Sequence, residues 1–392
     1  MKDRNKIGIL GIQVCFTALE LFVSVFLVAK LFTATGNNLG AVGLFYIVNY
    51  IMLFAAFILS SYISKRYSRT WVVRAATVFF VGTICLVIFL QNQIGEFYLL
   101  LAAAEGFAVG IYWGAMNMLT GQVLGGKKMA SYQAWYIGTT TAVSVIFPFT
   151  LGAVIEFVSF AVATLITLGL GILLVAFTIL LQEQRTDNTA LSMRKYISVI
   201  RQSTLSKPVS LNFWLQLLAG IYSAVSIAIT VLIVIIYKDN FSLGSLTSIF
   251  AASGILVLVA YKAIKPEKIK SAFYYACCVI PVIAAVGILF EVSPFTLILL
   301  QAGFVSKSVI NMERGNLQLD IMNKLGQPTL VAESILHTEL AYFIARMISM
   351  GIIIAAWYME AFVIFQILVF VQMALLLLCG LMMRRWYRYA QS

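Results

Sequence analysis

The sequence predicts an all-α integral membrane protein of about twelve transmembrane helices. Three observations carry that prediction. Of its 392 residues, 62% are hydrophobic and only 11% charged, too few to cover a soluble core with charged surface. Apolar stretches long enough to cross hydrocarbon, about 20 residues each, follow one another almost without pause. The basic residues gather in every second gap between those stretches.

Breaks at charged or turn-rich points place the spans at 8–33, 40–63, 71–91, 97–123, 130–156, 160–182, 210–237, 242–262, 271–290, 295–320, 330–356 and 360–383. The longest gap, Glu183–Lys207, lies near the middle of the chain. The expected organisation is therefore a six-helix half at 1–182, a cytoplasmic linker at 183–208 and a second six-helix half at 209–392, with no soluble domain. Within the linker, Leu191 to Arg201 carries apolar residues at helical spacing, with Arg194, Lys195 and Arg201 around them. That pattern fits an interfacial helix on the inner leaflet and fits a solvated basic linker equally well.

Orientation follows from Lys and Arg. One side collects Lys2, Arg4 and Lys6; Lys65, Arg66, Arg69 and Arg74; Lys127 and Lys128; and Arg185, Arg194, Lys195, Arg201 and Lys207. The same side has Lys262, Lys265, Lys268 and Lys270, then Lys324, then Arg384, Arg385 and Arg388, making 22 of the 27 basic residues. The opposite loops hold Lys238. Such asymmetry places both termini in the cytoplasm of a multi-pass protein of the plasma (inner) membrane. The net charge of +12 thus reports topology, and no nucleic-acid partner is expected.

Cys15, Cys85, Cys277, Cys278 and Cys379 all fall inside apolar runs without metal-ligand spacing, so they read as small core residues and no metal site or cofactor is expected. The first apolar run is too long for a signal-peptide core and carries Glu20, so no cleavable signal is expected. The two halves repeat in layout. Lys65 and Lys262 open basic loops 197 residues apart, and Gly106-Phe107 recurs at Gly303-Phe304 with the same offset. Parallel six-helix halves with a site between them near the midplane are one transporter plan.

These features resemble the major facilitator superfamily over essentially the whole chain, as a divergent bacterial-type member. The best local match is Ile63-Ser-Lys-Arg-Tyr-Ser-Arg69, which looks like the superfamily's loop motif between the second and third helices. Arg66 and Arg69 match its basic positions and are implied gating-loop residues; Lys65 stands where Asp is expected and Ser68 where Gly is. Pro148 and Gly152 resemble part of the antiporter motif of drug exporters, with Phe147 where a Gly would precede the Pro. The resemblance implies the major facilitator fold, two pseudo-symmetric halves of six helices whose first, fourth, seventh and tenth members line a central cavity.

Ionisable groups at membrane depth are functional candidates because an unpaired charge there is expensive. Gln13, Thr17, Glu20 and Ser24 lie on one face of the first helix, and Glu20 reads as a proton or cation site or as a structural acid. Glu105 enters the fourth helix with Tyr112 and Trp113 two turns on, an arrangement for proton coupling, for an amine, or for a pair with a lysine. On the tenth helix Lys307, Asn311, Arg314 and Gln318 share a face. Two cations there suit an anionic substrate group; alternatively Lys307 pairs with Glu20, Glu105 or Glu339. On the eleventh, Glu333 and His337 are four apart and Glu339 and Arg346 seven apart. His337 is a candidate proton relay, with a hydrogen-bonded structural role as the alternative, while Glu339 and Arg346 are expected to meet partners on other helices.

The function these residues point to is secondary active transport of a small polar, zwitterionic or amphipathic solute by alternating access, driven by protons, with sodium the alternative ion. Proton coupling is assigned to Glu20, Glu105, His337 and Glu339, and substrate binding to Glu20, Tyr112, Trp113, Lys307, Asn311, Arg314 and Arg346. The expected partners are that small molecule, protons and membrane lipids, and the expected state is a monomer. A drug exporter or a flippase for lipid precursors is the alternative within the fold. A sensor or assembly scaffold is the alternative class. No nucleotide motif and no nucleophile–base pair is evident, so neither an ATP-driven pump nor an enzyme is expected.

Overall fold

The computed structural model describes residues 2–123, 127–183, 189–325, 328–359 and 362–391. Arg185, counted above in the central loop, lies outside them. Twelve described helices are long and apolar enough to cross a membrane. They are α1 (Arg4–Ala34), α2 (Leu39–Arg66), α3 (Arg69–Phe89), α4 (Tyr98–Thr120), α5 (Trp135–Phe157) and α6 (Phe160–Thr178). After the middle of the chain come α7 (Ser206–Tyr237), α8 (Asn240–Ala263), α9 (Glu267–Phe290), α10 (Pro294–Met322), α11 (Val331–Tyr358) and α12 (Phe365–Arg384). Each coincides with a span expected from the sequence, with ends displaced by a few residues. No strand occurs among the described residues. The all-α membrane class is therefore correct, as hydrocarbon requires of a chain whose backbone groups must be satisfied within each segment.

The contacts divide the chain into two compact units. The first comprises Met1–Met193 with the short stretches Asp239–Ser248 and Thr329–Leu336, and the second comprises Arg194–Lys238, Ile249–Pro328 and His337–Ser392. In the first unit α1 packs on α5 and α6, α2 runs along α4, and α3 bridges α4 and α6. In the second, α7 packs on α10 and α12, and α9 bridges α10 and α12. The pairs α1–α6, α3–α4 and α3–α6 thus recur as α7–α12, α9–α10 and α9–α12.

Glycine spacing explains the α2–α4 seam. Gly106, Gly110 and Gly114 stand on one face of α4, and a Cβ at Gly106 or Gly110 would strike the backbone carbonyl of Asn49 or Leu53. At Gly114 it would lie 2.8 Å from the Ser60 side chain. The missing side chains let the two backbones touch, the way helices associate where lipid removes the hydrophobic drive. Two hydrogen bonds cross the seam: Asn49 Nδ2 donates to Ala102 O at 3.3 Å, and Ser60 Oγ donates to Ile111 O at 2.8 Å. At the end of α6, Arg74 from α3 donates to the carbonyls of Thr178 and Leu181 at 3.4 and 3.2 Å. A cation is thereby set on the negative end of the helix dipole.

The linker does form a helix, Met193–Gln202. Its Tyr196 and Ile200 are buried, while Arg194, Lys195 and Arg201 are exposed. Burial of the apolar face against protein (Tyr196 lies 5.8 Å from the His337 ring) separates it from a solvated linker.

Candidate functional site

Three spans lose regular hydrogen bonding near their middles. In α1, Phe22–Leu27 forms a π-helical turn that begins two residues after Glu20 and contains Ser24. In α7, Ala224 N bonds to Ile221 O at 3.4 Å, an i→i−3 bond that separates helical segments ending at Ser223 and starting at Val225. In α10, Ser306 repeats this: its N bonds to Gly303 O at 3.2 Å, and its hydroxyl donates to the carbonyls of Gly303 and Cys277. Such interruptions concentrate at functional positions of helices. Here they sit beside Glu20, Tyr222 and Lys307.

The first unit holds the acids. Glu20 is half-buried on α1, and Glu105 is 8% exposed on α4. Glu20 lies within electrostatic reach of Glu105 and of three tyrosines, Tyr46, Tyr112 and Tyr136. The two carboxylates thus stand on α1 and α4, one turn from Phe16 and two turns from Tyr112, within one unit. Tyr112, expected beneath Glu105, is fully buried and stacks on Phe16 of α1 with ring centroids 3.6 Å apart and planes 7° from parallel. Trp113 meets both rings edge-on at 5.5 and 5.2 Å. The Tyr112 hydroxyl is buried with no hydrogen-bond partner.

The same unit contains a feature that sequence reasoning missed. Lys65 Nζ lies 2.5 Å from Glu333 Oε1, and the two side chains are 4% and 0% exposed. The same carboxylate oxygen accepts from Ser192 N at 2.9 Å. Glu333 begins α11, 268 residues from Lys65, and no local pattern connects them. The one available signal was the swapped sign at Lys65: a basic residue where the loop motif has an acid calls for an acidic partner. Of the implied gating residues, Arg66 lies over the exposed Tyr62 ring at 4.8 Å, while Arg69 is 6% exposed at the start of α3. Gly152 of α5 packs against Gly244 of α8, where a Cβ would lie 3.1 Å from the Gly244 Cα.

The second unit holds the cations. Asn311 Oδ1 accepts from the buried Tyr222 hydroxyl at 2.6 Å. Arg314 lies over the Tyr342 ring at 5.3 Å, and Arg346 lies against the same ring at 5.0 Å. Arg346 and Glu339, expected to find partners on other helices, pair with each other at 2.9 Å, since seven residues bring them to one face of α11. Lys307, which had Glu339 among its expected partners, instead lies 3.5 Å from the Phe304 ring centroid. It has no ion pair among the described residues of its own unit. Glu313, next to Arg314, turns to Tyr261 of α8 and accepts its hydroxyl at 2.8 Å. His337 packs between Tyr196 and Phe213, at 5.8 and 5.0 Å, while Glu333 is committed to Lys65. No group of three or more metal-ligating side chains occurs among the described residues.

Comparison with known proteins settles the family. The model of the Major Facilitator Superfamily matches residues 9–317. The chain belongs to that superfamily. No curated protein matches it in sequence, and superfamily transporters match it in structure. The human organic anion transporter MFSD10 (TETRAN) superposes with a TM-score of 0.66 at 14% identity, covering 97% of this chain and 99% of its own. The POT family transporter PepTSo superposes with a TM-score of 0.75 at 9% identity, covering 99% and 98%. The nucleoside transporter NupG superposes with a TM-score of 0.60 at 15% identity, covering 95% and 99%. At such identities the likeness is one of fold, and this facilitator's substrate has to be argued from its own residues.

Proposed function

We propose that this facilitator is a secondary transporter that moves a small polar or zwitterionic solute across the plasma membrane by alternating access, coupled to protons. The observation that carries the reading is the pair of acids in the first unit, half-buried Glu20 on α1 and buried Glu105 on α4, on helices that the Phe16–Tyr112 stack joins. Two carboxylates at membrane depth repel each other when both are ionised, so one is poised to hold a proton. The π-helical turn beside Glu20 gives that carboxylate a backbone that can adjust. Substrate contacts are assigned to Trp113 and Glu20 in the first unit and to Lys307, Asn311, Arg314 and Arg346 in the second. Glu339 keeps Arg346 in place. His337, wedged between two aromatic rings, is given a secondary part in proton movement.

Purified protein reconstituted into vesicles, with a solute selected by ligand-induced stabilisation, tests the reading. Glu20→Gln should abolish accumulation driven by a pH gradient while leaving exchange of solute for solute intact. Undiminished gradient-driven uptake by that variant would remove Glu20 from the coupling role.

Both termini and the Glu183–Lys207 linker are assigned to the cytoplasm on the distribution of Lys and Arg. A cysteine placed at Asn37 or Asn240 should then react with an impermeant thiol reagent in intact cells, and one at Thr189 only after lysis. The opposite labelling pattern would invert the topology.

A further inference from the structure

The second unit carries more positive than negative charge at membrane depth. Arg314 of α10 and Arg346 of α11 meet at the Tyr342 ring, with Glu339 as the carboxylate paired to Arg346, and Lys307 lies two turns before Arg314 on α10, against the Phe304 ring. Glu313 points away, to Tyr261. Arg314 Nη1 is buried and meets no acceptor, and Lys307 has an aromatic ring as its neighbour rather than an acid. Each of these is costly for a charged group removed from water. A fold that only needed packing here would gain by replacing both residues with apolar ones of similar volume.

We infer that the face formed by Lys307, Asn311 and Arg314, with Tyr342 and Arg346 opposite, is an oxyanion-binding site that takes the carboxylate or phosphate group of a small soluble substrate. Arg314 supplies the planar fork that matches two oxygens of such a group. Its guanidinium lies over the Tyr342 ring at 5.3 Å, and the orphaned Nη1 is the donor that the ligand satisfies. Lys307 lies roughly 10 Å along the helix from Arg314 at 1.5 Å per residue, so it reaches a second oxygen or a second anionic group of the same molecule. Asn311, one turn below Lys307 and fixed by Tyr222, lies between them. Glu339 neutralises Arg346 and so leaves about one unit of charge each at Arg314 and Lys307 for the ligand to answer. The inference rests on the transport reading for the word substrate, but the site itself is a matter of binding.

Thermal unfolding of the full-length protein in a neutral detergent tests it, using inorganic phosphate, glutarate and the neutral diamide of glutarate at about 10 mM each, with chloride at matched ionic strength. Glutarate or phosphate should raise the unfolding midpoint, and the diamide and chloride should not. Arg314→Gln and Lys307→Met should each raise the midpoint of the ligand-free protein, because a half-buried cation that no acid answers is removed, and should each abolish the anion response. Arg314→Lys should retain a response weakened about tenfold, having lost the fork. A ligand-free midpoint that falls in both variants would show that these cations hold the fold, and would overturn the assignment. So would stabilisation by phosphatidylglycerol and by neither soluble anion, which would make the face a lipid headgroup site. Protein that binds glutarate but moves no solute in vesicles would leave the site standing and remove the transport reading; solute flux without an anion response would do the reverse.

Discussion

Reversing the charge at Lys65, buried in the last turn of α2, should strongly destabilise the protein. Lys65→Glu would set two carboxylates against each other where both side chains are now at most 4% exposed, and where Ser192 N adds a third member to the cluster. Even neutral truncation, Lys65→Ala, strands the Glu333 carboxylate and should cost about 3–5 kcal/mol, the usual consequence of removing one member of a buried ion pair. The exchange variant Lys65→Glu with Glu333→Lys should recover most of that loss. Unfolding midpoints of the three proteins in detergent measure it. A Lys65→Ala protein that melts with the wild type would mean the pair is solvated and structurally idle. The replacement of acid by base in the loop motif therefore does not delete its electrostatics. Lys65 keeps a buried ion pair at that position, with Glu333 at the head of α11 as its acid.

The second large effect is expected at the α2–α4 seam. Gly110→Val would drive a side chain into the Leu53 carbonyl and the Ala56 methyl, where neither the backbone nor a short side chain can move aside. Overpacking of this kind costs about 1–3 kcal/mol where neighbours can relax, and more where backbone opposes backbone. Gly106→Val should behave alike, because its Cβ would meet the Asn49 carbonyl. Gly82→Val and Gly138→Val, at positions with open space around them, are the matched controls and should leave the midpoint nearly unchanged. The yield of monodisperse protein and its unfolding temperature give the comparison. Equal losses at Gly110 and Gly82 would show that valine itself, and not the close approach, is responsible.

The sequence revealed the spans because hydrocarbon forces about 20 apolar residues to run together, whatever their neighbours. The same reasoning placed Glu20, Glu105, Lys307 and Arg314 at depth. What it could not reveal depends on the third dimension. The interruptions at Phe22–Leu27, Ala224 and Ser306 contain neither proline nor glycine, so no breaker announces them; packing and the Ser306 hydroxyl make them. Lys65 and Glu333 are 268 residues apart. The pairing of Glu339 with Arg346 was visible as a shared helix face, yet a shared face does not say whether two groups prefer each other or a neighbour. The repeat of Gly106, Gly110 and Gly114 is legible as four-residue spacing, but spacing alone does not say which helix the glycine face meets.

The glycine seam and the π-helical turn together bear on how the two acids can work. Glu105 rides on a helix fastened backbone to backbone against its neighbour, so its carboxylate is fixed like a datum on a rail. Glu20 precedes a turn whose hydrogen bonds have already slipped by one residue, so α1 can pivot there without breaking a regular ladder. Under the proposed coupling, one of the two acids is stationary and the other is mounted on a joint. That proposal places the displacement that follows protonation in α1 and not in α4.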